Sequence, residues 1–158
     1  MKDNISKSLT PRIYVPGSYD LLNIGHIRLF KYAYDYAQYS YVIAGVSTDK
    51  LILSYKFLKP ICPLKERIEL VSACKYVDRV IIQKKFFDIE QLKKLNIDYV
   101  LLGSDWENKD FPALMYAQGM LKFKIIYKPY TKEVSSSEIK RRIIKNAYDI
   151  VKAEGKRQ

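Results

Sequence analysis

The sequence predicts an α/β fold, a Rossmann-like parallel sheet of about five strands with helices on both faces. Two observations support this prediction. Five short runs rich in β-branched and aromatic residues recur along the chain, and segments with helical spacing of apolar residues separate them. Alternating strands and helices are typical of a parallel sheet whose crossover helices cover both faces.

The five predicted strands are nearly continuous apolar runs, as expected of strands that are buried on both sides. They are "RIYV" at 12–15, "YVIAGV" at 41–46, "RVII" at 79–82, "YVLL" at 99–102 and "FKIIY" at 123–127. Ligands of such sheets bind beyond the carboxyl ends of the strands. Functional residues are therefore expected in the segments that follow them.

Helices are predicted between these strands and after the last one. The first is indicated by the spacing of Ile27, Phe30, Ala33 and Ala37, and others by "LKERIELVSAC", "DIEQLKKLN" and "FPALMYAQGML". The capping-box spacing of Ser135 and Glu138 predicts a C-terminal helix over 136–153.

The predicted C-terminal helix has an apolar stripe opposite lysines and arginines. This stripe favours packing on the sheet, while contact with an anionic membrane is the alternative. Its members are Ile139, Ile143, Ala147, Ile150 and Val151.

Length and composition indicate one domain over 1–158 with a flexible N-terminal segment at 1–11, because 48% hydrophobic residues can fill one core. Apolar runs of the roughly 18 residues that span a bilayer are missing, and the polar start does not resemble a secretory signal. We therefore expect a cytoplasmic protein without stable membrane insertion. Cys62, Cys74 and a single histidine cannot form a Cys/His zinc set, so we expect free thiols and no metal held by protein ligands.

The net charge of +11 arises from 28 Lys and Arg against 17 Asp and Glu. Such a surplus attracts nucleic acid, anionic lipid or nucleotide phosphates alike. The charge alone does not choose among these partners.

The stretch "GSYDLLNIGH" at 17–26 leads from the first strand to the first helix and contains the one histidine, His26. Gly17 suits a tight turn, Asp20 can cap or position groups, and Gly25 allows close approach of a ligand to the helix N-terminus, where anions are attracted. His26 could instead be a partly buried helix residue with one satisfied hydrogen bond. Its position at the ligand end of the sheet favours an anion-binding role.

This stretch resembles the GxFDxxHxGH signature of the cytidylyltransferase-like nucleotidyltransferases, with Asn23 in place of the first motif histidine. "VSTDK", "KYVDRVI", "NIDYVLLGSDW" and "VSSSEIKRRI" resemble further blocks of the family in the same order, so the resemblance covers about 12–143. The branch resembled most is glycerol-3-phosphate cytidylyltransferase. The resemblance implies transfer of CMP from CTP to a small phosphorylated alcohol such as glycerol 3-phosphate, or to a phosphonate, with release of pyrophosphate.

The resemblance also implies Mg²⁺ bound with CTP and a homodimer that pairs through the region matching "KYVDRV". It implies catalytic roles for His26, for Asn23 and for Lys56, which matches a lysine on a mobile loop after the second strand. The residues that match nucleotide-binding positions are Gly17, Ser18, Tyr19, Gly25, Gly103, Asp105, Ser135 and Ser136. Those expected at the acceptor are Asp20, Lys59, Arg67, Asp78, Tyr130 and Thr131.

Several of these assignments have alternatives. Lys59 could be one of many solvated lysines, and Phe86, where the branch carries tryptophan, could serve packing alone. Departures from the family pattern at Asn23, Ser104 and Tyr130 favour a catalytically impaired nucleotide-binding paralogue, and an adenylyltransferase of the same fold is another alternative. A nucleic-acid binder is favoured only by charge, so nucleic acid is not an expected partner.

Overall fold

In the computed structural model, which describes residues 10–109, 111–129, 131 and 134–155, the five strands form one parallel sheet. Their spatial order is β3-β2-β1-β4-β5. The predicted sheet is confirmed, and every strand continues one or two residues beyond its predicted carboxyl end. The strands are β1 (Arg12–Gly17), β2 (Tyr41–Ser47), β3 (Arg79–Gln83), β4 (Tyr99–Gly103) and β5 (Lys124–Lys128).

Helices cover both faces of the sheet, as predicted. One face buries Tyr14, Ile43 and Val100 beneath α4 and α5, and the other buries Val15 and Val42 beneath α1 and α3. The helices are α1 (Ile24–Asp35), α2 (Asp49–Lys56), α3 (Leu64–Ser72), α4 (Ile89–Leu95), α5 (Pro112–Leu121) and α6 (Ser136–Gly155).

Two local predictions are wrong. Helix α1 ends at Asp35, because Ala37 adopts a left-handed conformation with φ of 53° within a short 3₁₀ turn. The segment carrying Lys56, expected to be a loop, forms α2. Thr48 caps this helix by accepting from the Leu51 N–H at 3.2 Å, and Lys56 in the last turn suits the helix dipole.

Helix α6 begins where the Ser135–Glu138 spacing predicts, since the Ser135 hydroxyl accepts from the Glu138 N–H at 3.0 Å. The expectation that its apolar stripe packs on the sheet is wrong for Ile143, Ala147 and Ile150, whereas Ile139 is partly buried and the side chain of Val151 lies outside the described part of the chain. Ile143 and Ile150 are 57% and 58% exposed, because the helices described above already cover both faces of the sheet. None of the described helices combines the length and apolarity needed to cross a membrane.

The strand order places the ligand end of the sheet. Successive strands are added to one side of β1 as β2 and β3, and the chain then crosses to the other side of β1 to form β4 and β5. A crevice opens at such a switch point, beyond the carboxyl ends of the neighbouring strands. The segments that follow β1 and β4 are the ones that contain "GSYDLLNIGH" and "GSDW".

Candidate active site

A cavity of about 450 Å³ lies at the carboxyl ends of the strands. The last residue of every strand lines it, from Gly17, Ser47 and Gln83 to Gly103 and Lys128. The first turns of α1 and α6 also reach it. The fold thus brings together segments that are more than a hundred residues apart in sequence.

Most of the residues predicted from the sequence meet in this cavity. Asp20, Lys59, Arg67 and Asp78 do not line it, and Tyr130 is outside the described residues. The predicted residues that line the cavity are Gly17, Ser18, Tyr19, Asn23, Gly25, His26, Lys56, Gly103, Asp105, Thr131, Ser135 and Ser136.

His26 lines the cavity as a neutral imidazole. Its Nδ1 accepts the backbone N–H of Asn23 at 3.2 Å, completing a capping box at the start of α1. Burial, and then the ammonium of Lys56, lower the pKa of His26 to about 4. Because Nδ1 is the acceptor, the proton of the neutral ring is on Nε2. The buried ring of Tyr19 packs edge-on against the imidazole with centroids 5.4 Å apart and holds its orientation.

Asn23 is the N-cap of α1. Its Oδ1 accepts from the Gly25 N–H at 3.0 Å, and its Nδ2 donates to the Leu21 carbonyl at 3.1 Å. A Cβ on Gly25 would meet that Oδ1 at 3.0 Å and the Val134 carbonyl at 3.2 Å. The glycine therefore permits close packing of the chain before α6, and because it also lines the cavity, the close approach of a ligand stays a prediction.

The N-terminus of α6 forms a second anion-attracting wall. The hydroxyl of Ser135 is used by the Glu138 N–H, and that of Ser136 donates to the Asp20 carbonyl. Both predicted phosphate-binding hydroxyls thus have protein partners. Ser136 and Ser137 line the cavity, and because first-turn N–H groups have no intrahelical acceptor, those of the two residues are the donors that remain for an anion.

Lys56 extends from the end of α2 to the cavity, where its Nζ donates to the Ser18 hydroxyl at 3.1 Å. Burial, and then the charge of Lys140, lower the pKa of this ammonium. A lysine with one hydroxyl partner retains two N–H donors for a ligand. Lys56 is therefore placed to contact phosphate oxygens beside His26.

Asp20 is buried and its carboxylate is fully engaged by the protein. Its Oδ1 accepts from the backbone N–H groups of Ile61 and Cys62, each at 2.9 Å, and its Oδ2 accepts from Lys140 at 2.7 Å. Although burial opposes it, these hydrogen bonds lower the pKa of Asp20. The residue ties α6 to the loop after α2, which positions two walls of the cavity.

Arg67 is 0% exposed, and its guanidinium joins four segments beneath the cavity. It donates to the carbonyls of Cys62 at 2.9 Å, Ser18 at 2.5 Å and Ser47 at 2.8 Å, and pairs with the Asp49 carboxylate at 2.5 Å. The hydrogen bonds of its guanidinium therefore hold together the ends of β1 and β2 and the start of α2.

Asp78 lies at the opposite end of the sheet. Its carboxylate accepts from the Val42 N–H at 2.7 Å and from the Tyr39 hydroxyl at 3.3 Å, near the amino end of β2. Lys59 is exposed on the loop after α2. Neither belongs to the site that we propose below.

The segment after β4 forms the other end of the cavity. The ammonium of Lys109 lies 4.7 Å from the centroid of the Trp106 ring and 3.9 Å from the Asp105 carboxylate. Gly103 and Asp105, which were predicted to bind the nucleotide, line the cavity together with Trp106, which was not among the predicted site residues. This polar and aromatic group is suited to the sugar and base of a nucleotide.

An aromatic wall extends from this segment along the cavity, and the sequence prediction missed part of it. Tyr55, Phe86, Phe111 and Trp106 form this wall, with successive ring centroids 5.1, 4.9 and 5.2 Å apart. Gln83 lies in the cavity lining on the same face of the sheet. A polar residue closing the apolar run "RVII" was the one sequence signal that pointed to Gln83.

Comparison with known proteins decides the family. A family model described as cytidylyltransferase-like matches residues 14–142, most of the chain. The chain belongs to the cytidylyltransferase-like family. It is therefore a nucleotidyltransferase, and the predicted family is confirmed.

Relatives of this cytidylyltransferase-like chain have different activities. It is 34% identical over 124 residues to an FAD synthase of Pyrococcus abyssi, covering 75% of this chain and 80% of that one. It is 32% identical over 133 residues to a glycerol-3-phosphate cytidylyltransferase of Bacillus subtilis, covering 84% and 96%. Family membership therefore does not choose the acceptor.

The fold also has a counterpart among solved structures. A lipopolysaccharide core biosynthesis protein from Thermoplasma volcanium superposes with a TM-score of 0.62 at 23% identity, covering 77% of this chain and 97% of that one. This likeness supports the Rossmann-like fold alone.

Proposed function

We propose that this nucleotidyltransferase transfers CMP from CTP to a small phosphorylated alcohol such as glycerol 3-phosphate. A phosphate oxygen of the acceptor forms a bond to the α-phosphorus of CTP, and the bond from that phosphorus to the β-phosphate oxygen breaks, which releases pyrophosphate. The observation that carries the proposal is the convergence of His26, Lys56 and two helix N-termini on one cavity. The near full-length match to glycerol-3-phosphate cytidylyltransferase supports the acceptor.

The reaction needs charge stabilisation and alignment and no protein nucleophile. The neutral imidazole of His26 donates its Nε2–H to an oxygen of the α-phosphate as negative charge develops there. Lys56 supplies a mobile positive charge that bridges the acceptor phosphate and the triphosphate. In this mechanism neither the imidazole of His26 nor the ammonium of Lys56 transfers a proton. They act on the phosphate oxygens through hydrogen bonds and positive charge.

Two cations of the family pattern are missing from this chain, at Asn23 and Tyr130. We propose that Lys128, the last residue of β5, and Lys109 restore part of the positive field, since both line the cavity. Stabilisation of a transition state depends on where the charge lies more than on which residue supplies it. We therefore propose that the enzyme is active, with Lys128 and Lys109 supplying positive charge in place of the two missing cations.

Magnesium is proposed to enter with CTP. The described residues contain no group of three or more histidine, cysteine, aspartate or glutamate side chains that could hold a metal. Oxygen atoms of the triphosphate and of water would hold the ion, in line with the expectation that no protein side chain does so. When bound, the ion neutralises charge on the triphosphate.

A second candidate function is transfer of AMP from ATP to flavin mononucleotide. The 34% identical FAD synthase and the aromatic wall favour it, because flat ring systems stack on such walls. The match to the FAD synthase covers a smaller share of both chains than the match to the cytidylyltransferase, so this candidate ranks second.

We also propose a homodimer. The strand β3 lies at the edge of the sheet, and Ile82 on it is exposed. Light scattering at tens of micromolar is expected to give twice the monomer mass, and a monomeric mass would refute the dimer.

The proposed function is tested by pyrophosphate release with Mg²⁺ in a matrix of CTP or ATP against glycerol 3-phosphate or flavin mononucleotide. We expect CTP with glycerol 3-phosphate to be the preferred pair. Preference for ATP with flavin mononucleotide would establish the second candidate. CTP binding without turnover on any acceptor would instead establish an impaired paralogue.

A further inference from the structure

The buried side chain of Gln83 has a polar atom that the protein does not satisfy. Gln83 is 2% exposed and lines the cavity at the end of β3. The Ser47 hydroxyl donates to its Oε1 at 2.8 Å, while its Nε2 has no hydrogen-bond partner among the described residues. A buried amide N–H without a partner is destabilising, so its retention beside a cavity calls for a ligand atom.

The position of this amide is fixed by the sheet. Ser47 and Gln83 are register partners at the ends of β2 and β3, and the Gln83 carbonyl accepts from the Thr48 N–H at 2.9 Å. Because the Ser47 hydroxyl holds Oε1, the group left over is a hydrogen-bond donor. The ligand atom that fits this amide is therefore a hydrogen-bond acceptor, such as an oxygen.

Gln83 lies near the Lys56 end of the aromatic wall, because Ser47, which donates to its Oε1, also hydrogen bonds the side chain of Tyr55. Tyr55 connects the two regions, since its ring contacts Phe86 at 5.1 Å and lies 5.7 Å from the Lys56 ammonium. An acceptor whose phosphate reaches Lys56 would therefore direct its remaining atoms along Tyr55 towards Gln83.

The charges of the lining disfavour a cationic group in that place. Asp105 is the one carboxylate among the described lining residues, and Lys109 lies 3.9 Å from it. Lysine ammoniums already lie by the Tyr55 and Trp106 rings, which are candidates for a cation–π contact. An ammonium entering here would have no counter-ion.

We infer that Gln83 determines acceptor specificity by donating its Nε2–H to an uncharged oxygen of the acceptor. This inference rests on the proposed function and adds that acceptors carry a hydroxyl or carbonyl oxygen at that point, whereas amino-alcohol phosphates are rejected. A hydroxyl of glycerol 3-phosphate and a ring carbonyl of flavin mononucleotide share this chemistry. Ser47 is the positioning residue for the amide.

The test compares three acceptors, glycerol 3-phosphate, flavin mononucleotide and phosphoethanolamine, in wild type, Gln83→Leu and Gln83→Glu. Gln91→Leu is the matched control, because Gln91 is also a glutamine but bonds the Ile82 carbonyl outside the cavity. Thermal unfolding of each variant reports its folding. Wild-type turnover with its best acceptor tests the proposed function by itself.

For the preferred acceptor we expect Gln83→Leu to raise KM about tenfold while KM for CTP changes by less than about twofold. Gln83→Glu is expected to shift the preference towards phosphoethanolamine, which a purely structural role would not produce. Unchanged acceptor KM in Gln83→Leu, or wild-type preference for phosphoethanolamine, would overturn the inference while leaving nucleotidyl transfer intact. If the leucine variant does not fold, the specificity of Gln83→Glu decides alone, and an unchanged preference overturns the inference.

Discussion

Arg67 and Lys56 are two cations close to the same loop, but their surroundings differ. The buried guanidinium of Arg67 donates to the protein at four oxygen atoms, whereas the ammonium of Lys56 contacts one hydroxyl at the cavity. A buried charge that uses four of its five N–H donors within the protein can hold a site in shape. A charge with spare donors can act on a ligand, so the two residues have separate roles although both match family motifs.

Removal of the Arg67 guanidinium is expected to have the largest effect on stability. Arg67→Met should lower the free energy of unfolding by about 3–5 kcal/mol, because it leaves buried carbonyls and Asp49 without their donor. Urea unfolding measures this loss. Arg28→Met, at an exposed arginine on α1, is the matched control and should change stability by less than about 0.5 kcal/mol. Equal stability of the two variants would contradict the structural role of Arg67.

The pH dependence of stability tests the neutrality of His26. Above pH 6.5 the ring is neutral in both states, and as pH falls towards 4 the unfolded chain binds a proton that the folded protein excludes. Stability should therefore fall by about 3 kcal/mol over this range and the contribution should level off below it. The glutamine of His26→Gln retains a capping-box acceptor but does not titrate. Identical pH curves for wild type and His26→Gln would show that His26 is not buried as a neutral base.

Removal of the Lys56 ammonium should affect catalysis more than folding. Lys56→Met is expected to lower kcat/KM by about tenfold to a hundredfold, an effect of about 1.4–2.7 kcal/mol on the transition state. Lys59→Met is the control, because Lys59 is on the following loop and does not line the cavity. Steady-state pyrophosphate release compares them, and a greater loss in Lys59→Met would reverse the assignment.

The smallest effect is expected at Asp78, on the far end of the sheet. Asp78→Asn should leave KM for CTP and for the acceptor within about twofold of wild type, while the weaker bond to the Val42 N–H costs about 1 kcal/mol of stability. A tenfold rise in acceptor KM without loss of stability would place Asp78 back in the acceptor site.

Local patterns determined what could be predicted from the sequence. The apolar runs located all five strands, and the capping spacing of Ser135 located the start of α6. Arg67 and Asp20 were predicted to face the substrate, because a motif records a residue type and not its hydrogen-bond partners. Those partners come from segments brought together only by the folded sheet.

Gln83 could not be predicted from the sequence for a related reason. No motif marked it, because its significance depends on a buried amide nitrogen without a partner. Helix α2 was missed since the motif was matched to a loop, although Thr48, Asp49 and Lys56 carry ordinary cap and dipole signals.

The central claim is that His26 acts as a neutral hydrogen-bond donor through Nε2. The most direct measurement is pyrophosphate release at pH 7 by wild type, His26→Ala and His26→Gln, below the unfolding temperature of all three. We expect alanine to lower kcat/KM by about a hundredfold or more, and glutamine, which can cap the helix and still donate an N–H, to recover about tenfold of that loss. Wild-type-like turnover of His26→Ala, or no recovery by glutamine together with a wild-type requirement for a protonated group near pH 6.5, would contradict it.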